Sequence, residues 1–191
     1  MNPRYCKSGA AASAAALFFA GSALAADPQV CAACHGPEGN SVIPANPSLA
    51  GQPAQAISTQ LFQFREGNRK DPQMTPMAAN LSNKEMNELA SYFSKQKPAA
   101  PTHKTAPENA ATGPKLTQQF NCVQCHGPAL MGQQHIPRIA GQQYDYVSAQ
   151  LRKFKAHTRA DLDGNMTAAT EPLTDKDVEI LADYVAGLSP M

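Results

Sequence analysis

The sequence predicts an all-α chain built from two tandem copies of one small domain. Three observations predict it. Apolar residues recur at helical spacing with capping signals in front of them, no alternating strand pattern occurs, and the second half of the chain repeats the first. "CAACHG" (Cys31 to Gly36) returns as "CVQCHG" (Cys122 to Gly127), 91 residues later. "PSLAGQ" (Pro47 to Gln52) returns as "PRIAGQ" (Pro137 to Gln142), and "QLFQFREGNR" (Gln60 to Arg69) as "QLRKFKAHTR" (Gln150 to Arg159), both at an offset of 90. "MTPMAANLS" (Met74 to Ser82) matches "MTAATEPLT" (Met166 to Thr174) at an offset of 92, and "LASYF" matches "LADYV" there too. Drifts of one or two residues fall in Gly-, Pro- and Asn-rich stretches, where loops tolerate insertion.

The elements follow in order. Residues 1–26 read as a secretory signal. Arg4 and Lys7 supply charge, Ala10 to Ala20 a short apolar core, and Ala23-Leu24-Ala25 a cleavage site. The apolar run is shorter than the ~18–20 residues that span a bilayer. Residues 27–96 form the first domain. Pro53 to Phe64 carries Ile57, Leu61 and Phe64 on one helical face. Ser82 and Glu85 form a capping box ahead of Met86, Leu89, Ala90 and Phe93. Residues 97–113 read as a Pro-rich extended linker. Residues 114–191 form the second domain. "GPKLTQQFNC" leads as a helix into the second Cys pair, Tyr144 to Phe154 repeats the first long helix, and Thr174 with Asp177 opens the last one over Val178, Leu181 and Val185. Each domain is small, has no Trp, and would benefit from a staple.

Composition narrows the chemistry. Loss of residues 1–25 leaves 14 basic and 15 acidic groups, a net charge of −1, so no basic field invites nucleic acid. Of the five cysteines, Cys6 leaves with the leader and the other four stand in C-x-x-C-H motifs. Two thiols three positions apart share one face of a helical turn and can add to two vinyl groups along one side of a haem, while the adjacent His projects at the iron. A redox dithiol would need a βαβ context, which is missing. A zinc site joining both Cys pairs would leave both His residues unexplained.

The candidate attachment residues are therefore Cys31, Cys34 and His35, and Cys122, Cys125 and His126. A thioether opposite His suits an electron carrier. Met74 and Met166 alone match across the repeat, 39 and 40 residues after His35 and His126. Met77 is a weaker alternative, and Met86 belongs to an apolar helix face. Carbonyls at Pro47 and Pro137 are placed to accept the histidine Nδ1–H groups. Arg69 and Arg159 are either partners of haem carboxylates or solvated helix-end charges. His103, His135 and His157 read as exposed, and Tyr92 and Tyr184 as core.

The paired haem motifs, "LAGQ" or "IAGQ" with "QLxxF" after each, and "M-x-x-M-x-x-x-L-S" before the last helix of the first half resemble the dihaem cytochrome c4 family over nearly the whole mature chain. That resemblance implies two cytochrome c-like domains related by a pseudo-twofold axis, each wrapped around one covalent haem c. It implies His35 with Met74, and His126 with Met166, as axial pairs. The implied role is a periplasmic carrier, not an enzyme, passing single electrons from a quinol-oxidising complex or dehydrogenase to a terminal oxidase. It would be a monomer without a transmembrane segment, with peripheral membrane association open to it. The alternatives are an electron-accepting subunit of a flavoprotein sulfide or alcohol dehydrogenase and, less favoured, a dihaem peroxidase or thiosulfate-oxidising enzyme. One departure stands out. Only Ala26 to Val30 precede Cys31 after cleavage, so the first domain lacks most of a leading helix and is expected to be the less protected of the two.

Overall fold

Caps and prolines set the element boundaries in the computed structural model, which describes residues 26–190. The predicted leader lies outside the described residues apart from Ala26. Helix α1 (Pro28–His35) begins with the Asp27 carboxylate accepting the Gln29 amide at 2.9 Å and Pro28 in the first turn. A short 3-10 turn, Pro37–Gly39, follows. Helix α2 (Ala54–Arg65) and α3 (Met74–Ala78) lead to α4 (Asn83–Ser94), where the Ser82/Glu85 capping box is formed in both directions. The second domain repeats this as α6 (Cys122–His126), α7 (Tyr144–Lys155), α8 (Asn165–Thr170) and α9 (Asp175–Gly187), the last opened by the Thr174/Asp177 box. Among the described residues no strand forms, only an isolated bridge between Gln133 and Ile136.

The apolar stripes pack as the periodicity requires. In the first domain α2 lies on α4, burying Ile57, Leu89, Ala90 and Phe93 together, with Leu61 and Tyr92 against them. Met86, on the same helix α4, is buried at 3% exposure. In the second domain α7 and α5 both pack on α9, so Val178, Leu181 and Val185 are all buried.

Helix α5 (Pro107–Gln119) corrects the linker boundary, because it begins inside residues 97–113 and continues through Pro114. A proline in a helix interior removes a donor and disfavours continuation, which is why the sequence reads as a break there. Tertiary packing overrides that preference. Gly113 lies so close to α9 that a Cβ on it would sit 2.2 Å from Cγ of Tyr184. The Asp183 carboxylate on α9 gathers the Ala106 amide at 3.0 Å and Asn109 Nδ2 at 2.9 Å, fixing the start of α5. His103 pairs with the same carboxylate at 2.6 Å and stacks on Tyr144 with centroids 5.3 Å apart. His103 is thus half-buried rather than exposed, as is His135, while His157 is exposed as expected. The extended stretch is residues 97–106. No helix corresponding to α5 precedes α1 among the described residues.

Candidate functional site

Each C-x-x-C-H motif ends a helix, and the following glycine turns the chain away. Gly36 has φ +77, and a Cβ there would lie 1.9 Å from the Asn40 carbonyl oxygen, so only glycine permits the turn. Gly127 repeats the conformation at φ +81. The turn brings a proline carbonyl onto each imidazole. His35 Nδ1 is 2.8 Å from the Pro47 oxygen, and His126 Nδ1 is 2.7 Å from the Pro137 oxygen. Nδ1–H therefore donates, and Nε2 is left with its lone pair free. The two imidazoles are 6% and 5% exposed. Burial pushes both below the usual imidazole range, against an upward pull from the carbonyl each donates to, so both are neutral at pH 7.

Among the described residues, the four cysteines Cys31, Cys34, Cys122 and Cys125 carry no disulfide. Cys31 and Cys122 are partly buried, and burial raises both thiols, helped at Cys31 by Asp27. Cys34 and Cys125 are exposed. A redox dithiol needs a lowered thiol, and burial moves Cys31 and Cys122 the other way. Zinc fares no better: no group of three or more His, Cys, Asp or Glu side chains converges among the described residues.

Met74 opens α3 and Met166 is the second residue of α8, and in both domains an aspartate fixes the start. The Met74 amide donates to Asp71 at 3.0 Å and the Met166 amide to Asp161 at 2.6 Å. Both methionines are half-buried, whereas Met77 is 52% exposed.

The domains meet through reciprocal contacts that the repeat itself generates. Gln142 Oε1 accepts the Ser48 amide at 2.7 Å and its Nε2 donates to the Ser48 carbonyl at 3.0 Å. Gln52 does the same to Arg138, at 2.9 Å in each direction. Arg69 reaches Gln60 in its own domain at 2.5 Å and Gln150 in the other at 3.3 Å; Arg159 reaches Gln150 at 2.6 Å and Gln60 at 3.1 Å. Each arginine also lies over the phenylalanine of its own "QLxxF", Phe64 at 4.4 Å and Phe154 at 4.3 Å. Tyr146 breaks the symmetry, accepting from Arg69 Nη2 at 3.1 Å. Arg69 and Arg159 are therefore interdomain residues, not solvated helix-end charges.

Sequence reasoning missed Gln52, Gln142 and Arg138 as site residues. The signal for the first two was present: "AGQ" recurs in register, and a polar residue repeated two positions after a buried Ala needs a partner.

The family model described as cytochrome c matches twice, at residues 18–97 and 110–189. The chain belongs to the cytochrome c family, as a dihaem cytochrome c4. It is 39% identical over 171 residues to cytochrome c4 of Thiocapsa roseopersicina, covering 84% of this chain and 88% of that one. It is 35% identical to the thiosulfate dehydrogenase electron acceptor of Thiomonas intermedia, over 95% of this chain and 91% of that one. The structure of reduced recombinant cytochrome c4 from Pseudomonas stutzeri superposes with a TM-score of 0.76 at 32% identity, covering 83% and 93%. This cytochrome is a dihaem electron carrier with two covalently bound haem c groups, one per domain. The residues present fit that cofactor: neutral buried imidazoles with Nε2 free, and unbridged thiols three positions apart beside them.

Proposed function

We propose that this cytochrome c4 is a periplasmic carrier whose irons are held by His35 with Met74 and by His126 with Met166. Cys31 and Cys34, and Cys122 and Cys125, would form the thioether links. The observation that carries the reading is the matched pair of histidine contacts, at 2.8 and 2.7 Å from Pro47 and Pro137, which set both imidazoles in the ligating tautomer. When bound, each haem supplies a one-electron ferric/ferrous couple. The chain supplies the rest. The carbonyls hold the rings, Asp71 and Asp161 hold the methionine helices, and the small apolar cores exclude water.

With His35 and Met74, and His126 and Met166, as ligands, neither iron would have a position open to substrate, which supports reading the chain as a carrier and not an enzyme. Its exchange partners are redox proteins, and no helix among the described residues is long and apolar enough to cross a membrane. A second reading is favoured by a specific observation: the Thiomonas relative accepts electrons from thiosulfate dehydrogenase and matches nearly end to end. On that reading a dehydrogenase is the donor, and stable co-purification with it would favour a subunit role.

The test is spectroscopic. A pyridine haemochrome count should give two haems per chain. Met74→Ala and Met166→Ala should each remove about half of the ferric Met-to-iron charge-transfer band and open that haem to carbon monoxide. An unchanged band in Met74→Ala, or ready carbon monoxide binding by the reduced wild type, overturns the ligand set.

A further inference from the structure

Each axial histidine is joined to the opposite domain through a single peptide group. The oxygen that accepts from His35 belongs to Pro47, and the amide that donates to Gln142 Oε1 belongs to Ser48. These are the C=O and N–H of one Pro47–Ser48 peptide. The second domain is built alike. The Pro137–Arg138 peptide accepts from His126 at 2.7 Å and donates to Gln52 Oε1 at 2.9 Å. Gln52 is 6% exposed and Gln142 4%, so water does not compete for these contacts.

We infer that Gln142 is a positioning residue that tunes the haem held by His35, and Gln52 one that tunes the haem held by His126, each across the domain interface. The inference rests on the ligand assignment proposed above. A peptide whose N–H is engaged by an acceptor carries more negative charge on its oxygen, and serial hydrogen bonds of this kind strengthen one another by about 10–30% each. The Pro47 oxygen thus pulls harder on His35 Nδ1–H when Gln142 is in place. The ring becomes a more electron-rich ligand, which favours ferric iron. Loss of the glutamine weakens the pull and favours ferrous iron. The effect crosses domains: a change in the second domain is read at the first haem, and the reverse.

Met is close to Gln in volume but neither accepts nor donates strongly. Gln142→Met should therefore move the ferric/ferrous equilibrium of the His35 haem about threefold toward ferrous, which is about 28 mV for a one-electron couple, and leave the His126 haem nearly unmoved. Gln52→Met should do the converse. The second readout is the histidine Nδ1–H proton resonance of the reduced holoprotein. It should move upfield for His35 in Gln142→Met and for His126 in Gln52→Met. Tyr146→Phe, measured at pH 6, loses a contact at the same interface that touches neither peptide, and should move neither resonance. A shift at the haem of the mutated domain, equal shifts at both haems, or the same shifts in Tyr146→Phe each overturn the crossed link. If the wild-type His35 or His126 ring protons lack the large displacement that a haem ring current imposes on an axial ligand, the ligand assignment itself falls and the inference with it.

Discussion

Tyr146 offers the sharpest test of how the interface is charged. Burial by itself would raise its phenol, but Arg69 and Arg159 beside it pull it down to about 8 from an ordinary 10. Two units correspond to about 2.7 kcal/mol. Tyr146 is half-buried and screening reduces that figure, so about 1–2 kcal/mol is expected. A tyrosine whose folded value lies below its unfolded one contributes fully above about pH 10, and the contribution is lost as the pH falls through about 8. The perturbation is a rise from pH 7 to pH 10, with Tyr146→Phe as reference. Denaturant melts of the two holoproteins should diverge by about 1–2 kcal/mol over that range, the wild type gaining. In 13C-tyrosine spectra, Tyr146, absent from the Phe variant, should titrate near pH 8. Titration of Tyr146 at its ordinary value near 10 would refute the argument. It would mean that another anion, such as the haem carboxylates, already neutralises Arg69 and Arg159.

Two further outcomes test the packing. Gly113→Ala should destabilise the second domain by about 1 kcal/mol in denaturant melts: forcing a methyl onto Tyr184 costs about 1–3 kcal/mol, while the gain in helix propensity returns about 1. A stabilised variant would show that α5 does not bear on α9 as described. Thr174→Ala removes the side-chain acceptor of the Asp177 amide at 3.1 Å and should cost about 1 kcal/mol by the same melts; no change would mean that the capping box of α9 is not populated in solution.

The helices and their caps were legible because their causes are local. Ser82 with Glu85 and Thr174 with Asp177 act within one turn, and the stripes Met86, Leu89, Ala90, Phe93 and Val178, Leu181, Val185 follow the helical period. The proline carbonyls were legible too, since Pro47 and Pro137 recur 12 and 11 residues after their His. The start of α5 was not, because Gly113 and Pro114 argue against a helix locally and only Tyr184 and Asp183, some 70 residues away, supply the reason to form one. His103 escaped for the same cause: its partner Asp183 lies 80 residues off.

What the sequence determined alone was the duplication, the all-α class, the two C-x-x-C-H motifs, and Met74 and Met166 as the methionines that match between the halves. Periodicity and repetition are properties of a string and survive without coordinates. What only the tertiary structure decided was the use of the second "AGQ" and "QLxxF" copies against the first. Gln52 with Arg138, Gln142 with Ser48, Arg69 with Gln150 and Arg159 with Gln60 are contacts between residues 81 to 99 positions apart. The physical reason is symmetry. A repeated motif makes self-complementary surfaces, but whether and how they meet depends on closing the chain between them, and residue spacing does not encode that closure.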